Sequence, residues 1–195
     1  MKIEYFTNKL ASYIFIAVYL SACTNNKNPD KIAQKENEAK FKGAAEKDAK
    51  AVADVYNNSL FEMNLSYAVK GKATNEDVKL LADSMTIGHL DIDNQLKALA
   101  EKKSISLTAG LTEEQQGDIN NMKGKDPELL NKDYVDLLID DHKDAIKKYE
   151  KFAKNAADVD IKTWFENTSE ILKRHLDMAN RCKDKMTKNK TNKIK

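Results

Sequence analysis

Four long stretches of this chain place apolar residues at alternating steps of three and four, and almost nothing interrupts them. They cover residues 46–70, 75–102, 132–155 and 160–186. Such steps put apolar side chains on one face of a helix, whereas a half-buried strand alternates by two. The punctuation agrees, since the whole chain holds six Gly and two Pro. A β-sandwich needs a turn signal every ~8–12 residues, which so few breakers cannot supply. Lys, Glu, Asp, Ala and Leu dominate and suit amphipathic helices. The expected fold is all-α, an up-down four-helix bundle over residues 46–186.

The connections set the order of packing. Short links join the first stretch to the second and the third to the fourth, so those pairs are antiparallel neighbours. Gly71 closes the first stretch, and Thr74 with Asp77 reads as the cap of the second. The link over residues 103–131 is long. Within it, Thr112 with Gln115 reads as the capping box of a short helix, and Gly124 and Pro127 end that helix. In an up-down-up-down arrangement both short turns, near residues 73 and 158, lie at the same end.

The N-terminus is of another kind. Lys2 and Lys9 precede an uncharged run from Leu10 to Cys23. That run is shorter than the ~20 residues of a membrane span and matches a signal-peptide core. It ends in Leu20-Ser21-Ala22-Cys23, which resembles the lipobox of bacterial lipoproteins. The resemblance implies removal of residues 1–22 and lipidation of Cys23, with the membrane as partner. Several acyl chains hold stably where one holds marginally. Thr24 in place of Asp after the cysteine implies the outer membrane of a bacterial envelope. Residues 23–45 then form a lipidated cysteine and polar tether, helical in its second half. Cys182 is left alone, so no internal disulfide is expected. Residues 183–195 hold six lysines and one aspartate. Residues 187–195 are expected to be a basic disordered tail.

The chain has three histidines, His89, His142 and His175, each on the inner face of a different stretch. Each lies ~16–17 residues from its short turn, so at 1.5 Å per residue they share one layer. Glu62 is the one acid on the inner face of residues 46–70, and it leans toward that layer. Asp141 and Asp93 are placed to orient imidazole rings as acceptors, and Tyr56 lies level with them. Imidazoles with one carboxylate suit a divalent ion such as zinc or iron. A metal-free layer of hydrogen-bonded histidines satisfies the same pattern. A di-iron carboxylate site needs Glu-x-x-His pairs. The residues three before the histidines are Thr86, Ile139 and Leu172, so no such pair exists.

Other chemistry finds little support. A net charge of +2 gives no reason to expect nucleic acid. No Gly-rich phosphate loop, Cys-x-x-Cys or Ser-His-Asp arrangement stands out, so no catalytic residue is assigned. Two roles remain. One is a non-catalytic structural or interaction role among envelope proteins. The other is metal storage, buffering or sensing.

A resemblance joins these marks. Phe61-Glu62-Met63 precedes Ala68, and Val78-Lys79-Leu80-Leu81-Ala82 leads to Met85 and His89. Asp133-Tyr134 leads to Asp141-His142, and Ile171-Leu172 to His175-Leu176 and Ala179. Over about residues 52–185 the chain resembles the bacterial "domain of unknown function 4142" family. The resemblance implies a ferritin-like four-helix bundle in the cell envelope and carries no activity. The family usually has Asp before the first histidine, where this chain has Gly88. Asp93 is the acid placed to stand in for it.

Overall fold

A computed structural model describes residues 28–193. The signal peptide expected over residues 1–22, and Cys23, lie outside the described residues. Six helices follow: α1 (Pro29–Lys40), α2 (Ala44–Lys70), α3 (Glu76–Lys103), α4 (Glu113–Gly124), α5 (Pro127–Asn155) and α6 (Val159–Lys193). No strand occurs among the described residues.

The helix starts follow from side chains that satisfy free backbone N–H groups. Thr112 and Gln115 make both bonds of the expected capping box at α4. At α3 the cap is Asn75, whose side chain accepts from the N–H groups of Asp77 and Val78 at 2.9 and 3.3 Å. Thr74, the expected cap, stands one residue too early. Asp126 caps α5 and Pro127 is its first residue, so the helix begins before residue 132. A proline there costs nothing, because its missing N–H would lack a helical partner anyway.

The helices pack all-α in a bundle. α2 lies along α3 and α5 along α6, while α3 also meets α6 and α2 meets α5 more thinly. The backbone N–H groups of Ala157 and Asp158 donate to Asp48 near the start of α2, at 3.0 and 2.8 Å. Asn131 near the start of α5 reaches Thr74 in the α2–α3 turn at 3.2 Å. The two short turns therefore lie at opposite ends, not the same end, and α3 and α5 run in the same direction. The segment holding α4 carries the chain back along the bundle.

The histidine layer survives that reversal because each histidine sits near the middle of its helix. Distance from either end is then about the same. The layer divides the apolar core in two. One cluster gathers Val52, Val55, Ile92, Leu96, Phe165 and Leu172. The other gathers Leu65, Val78, Met85, Leu130, Leu138 and Ala179.

Both expected polar ends hold structure. Residues 29–40 of the tether form α1, which packs on α2. Buried Asn37 exchanges two hydrogen bonds with Ser106, donating to its carbonyl at 2.8 Å and accepting from its N–H at 2.7 Å. At the other end, α6 continues to Lys193 where disorder was expected beyond residue 186. Lysine is a good helix former and neither Gly nor Pro interrupts the run.

Candidate metal centre

Each of the four long helices brings one polar group to mid-height. α2 supplies Glu62, α3 His89, α5 His142 and α6 His175, all buried. The imidazole centroids form a near-equilateral triangle. His89 and His142 are 5.6 Å apart, His89 and His175 5.3 Å, and His142 and His175 5.5 Å. One nitrogen from each ring lies within 4.8 Å of the others. His142 Nε2 and His175 Nδ1 are 3.4 Å apart. Zinc–nitrogen bonds of ~2.0–2.1 Å put neighbouring ligands about 3.3–3.4 Å apart around a tetrahedron.

Two rings are held through Nδ1; the Nε2 of His142 also accepts from His175 Nδ1, and that of His89 has no hydrogen bond. His142 Nδ1–H donates to the Leu138 carbonyl oxygen one turn earlier at 2.9 Å. That fixes the tautomer and turns the Nε2 lone pair inward, as a ligand requires. Ser59 Oγ lies 3.1 Å from His89 Nδ1, leaving His89 Nε2 toward Glu62. Glu62 Oε2 stands 3.2 Å from that nitrogen and 3.6 Å from His142 Nδ1. Neither Glu62 Oε2 nor His89 Nε2 has a hydrogen bond of good geometry. They stand close enough for electrostatic contact without a hydrogen bond between them.

The electrostatics are those of a buried carboxylate among imidazoles. Burial pushes the Glu62 carboxyl up, but His89, then His142 and His175, outweigh it and bring it down to about 2. Burial, then the neighbouring His89 and His142, push His175 down to about 3. Burial also lowers His142, against the pull of Glu62. The layer so favours neutral His142 and His175 beside an ionised Glu62. A positive charge at its centre answers that arrangement, and a divalent ion answers it without protonating a ligand.

The expected ring-orienting residues take other places. Asp93 is 1% exposed, yet neither carboxylate oxygen has a hydrogen-bond partner. Burial raises its pKa, against Ser59, His89 and Lys97. Tyr56 is buried in the core with Lys97 Nζ 5.8 Å from its ring centroid, and no hydrogen bond joins it to a histidine. Asp141 is half-buried, and His142 takes its bond from Leu138 instead. Burial, then Glu62, Asp140 and Asp144, push Asp141 up to about 6. One participant was not singled out from sequence, Ser59, and Gly88 was noted only for the acid it lacks. Ser59 does interrupt an apolar stripe, which is a signal of sorts. A Cβ on Gly88 would stand 2.5 Å from His175 Nε2, so the missing side chain makes room for that ring. Gly88 is thus not a lost carboxylate that Asp93 replaces; His175 fills the space.

A cleft of about 290 Å³ reaches the layer from outside between α2 and α5. Glu62, His89 and Tyr149 line its buried floor, with Asp141, Asp144 and Lys148 higher up.

No curated protein and no solved structure matches the chain significantly. One family model does, over residues 33–182, and its description is "Domain of unknown function (DUF4142)". That match begins within α1 and ends within α6, and covers most of the chain. The protein therefore belongs to the domain of unknown function 4142 family.

Proposed function

We propose that this protein binds a divalent transition-metal ion inside its helical bundle, for storage, buffering or sensing. His89, His142 and His175 supply nitrogen ligands and Glu62 an oxygen. The observation that carries this reading is the convergence of one nitrogen from each histidine within 4.8 Å. Glu62 Oε2, buried beside them without a hydrogen bond, supports it. Zinc and ferrous iron both suit imidazole with carboxylate. The non-catalytic structural reading draws on the ring bonds from Ser59 and Leu138, and it requires no ion.

Metal analysis separates the two. Protein purified without an affinity tag is expected to take up one zinc or cobalt ion per chain. The His89→Ala/His142→Ala/His175→Ala triple variant is expected to take up none. At an ion concentration 100 times Kd, binding adds about 2.7 kcal/mol of stability, or roughly 5–10 °C in Tm for a domain of this size. Absence of stoichiometric metal under several loading conditions would overturn the reading.

The setting belongs to the same proposal. Lipidation of Cys23 after removal of residues 1–22 would anchor the body to the outer membrane. Among the described residues, no helix is long and apolar enough to cross a membrane. Cys23→Ser is expected to abolish fatty-acid labelling and membrane fractionation; a variant that keeps both sinks the assignment. The finer topology we propose is a ferritin-like four-helix bundle of α2, α3, α5 and α6. The shared direction of α3 and α5, joined through α4, supports it.

A further inference from the structure

We propose that the cleft between α2 and α5 is the route by which a hydrated divalent cation reaches the histidines, collected first by Asp144 and Asp141 and passed on by Glu62. The inference rests on the metal-binding reading above and adds how the ion arrives.

The geometry grades the cleft by depth. Asp144 is exposed at the mouth, Asp141 is half-buried, and Glu62 is 8% exposed at the floor beside His89. Three carboxyls so line one path from water to the layer. Glu62 Oε2 is buried and without a hydrogen-bond partner, which leaves an acceptor free at the inner end. The exposed pair of Asp144 with Lys147, 3.0 Å long, lies in water and holds Asp144 only weakly. Among the described residues, Lys148 is the one lysine or arginine lining the cleft, and its Nζ sits 5.7 Å from the Phe152 ring centroid. His142 and His175 are buried beyond the floor, at 1% and 5% exposure.

The chemistry asks for such a path. A divalent ion sheds its water reluctantly, and each carboxylate oxygen replaces one water as the ion descends. A cleft with low-dielectric walls and one dominant sign of charge focuses the field and raises the arrival rate by ~10–10³-fold. The ion then exchanges oxygen for nitrogen at the floor, where Glu62 stands 3.2 Å from His89 Nε2. Glu62 is therefore both the last step of the path and a ligand at its end.

The test is the rate of cobalt(II) uptake by the full metal-free chain, followed by stopped-flow absorbance at low ionic strength. Asp144→Asn is expected to slow association about 3–10-fold and to weaken its salt dependence. Lys148→Gln is expected to speed it about 2–3-fold. Both variants should reach the same stoichiometry and the same final cobalt spectrum as the unaltered chain. Unchanged rates in both variants, with cobalt still bound, would overturn the route and leave the metal site standing. No cobalt uptake by the unaltered chain would overturn both.

Discussion

Glu62 and the histidines set one another's protonation, and that makes the metal-free protein sensitive to acid. His175 titrates at an ordinary 6.5 in the unfolded chain and is pushed down to about 3 when folded. Between those values the unfolded chain binds a proton that the folded one refuses, so stability falls as pH falls. His142 is displaced the same way. Glu62 goes from 4.5 to about 2 on folding, and it adds a loss below pH 4.5. Asp141 opposes them, since folding raises it from 3.8 to about 6. Burial raises Asp93 as well, so two carboxyls oppose the two histidines and Glu62, and the fall of His175 from 6.5 to about 3 decides the net loss. Urea midpoints of the metal-free protein should therefore decline steadily below about pH 6.5. His175→Ala should flatten the decline between about pH 6.5 and 3. A flat profile in the unaltered protein would contradict the buried, neutral imidazoles.

At the scale of elements, what the sequence made legible was local. The four long helices follow from steps of three and four, and the α4 cap from two residues three apart. Inner-face spacing also brought His89, His142, His175 and Glu62 to one layer, because a helix converts sequence position directly into height. What escaped depends on partners far along the chain. Asn37 docks α1 by bonding Ser106, 69 residues away, so a polar segment read alone looks like a tether. Asp48 accepts the α5–α6 turn from 109 residues away, and Asn131 reaches Thr74 from 57; such contacts reveal that the two turns lie at opposite ends. Gly88 is the same lesson in a single position. Its role is the volume taken by His175 on another helix, and no pattern within α3 announces it. Asp93 and Asp141 were placed correctly near the layer, but Ser59 and a backbone carbonyl hold the rings. Proximity in height does not settle which of several acceptors a ring meets.

For the whole molecule, the division of the core into two apolar clusters matters most. A bundle with one continuous seam melts as a unit, because every layer props up the next. Here the layer between the halves is polar, so apolar packing alone transmits less of that support across mid-height. The halves can then come apart in sequence when the middle is weak. Without metal, hydrogen exchange should show two groups of amides with different opening energies, one for each cluster. With metal the groups should merge and slow together. Identical protection in both halves, with and without metal, would show that the apolar seam alone is enough. An ion bound there would act as a rivet through the waist of the protein. Its arrival would then be felt less as a local contact than as a change in how far a disturbance at one end travels toward the other.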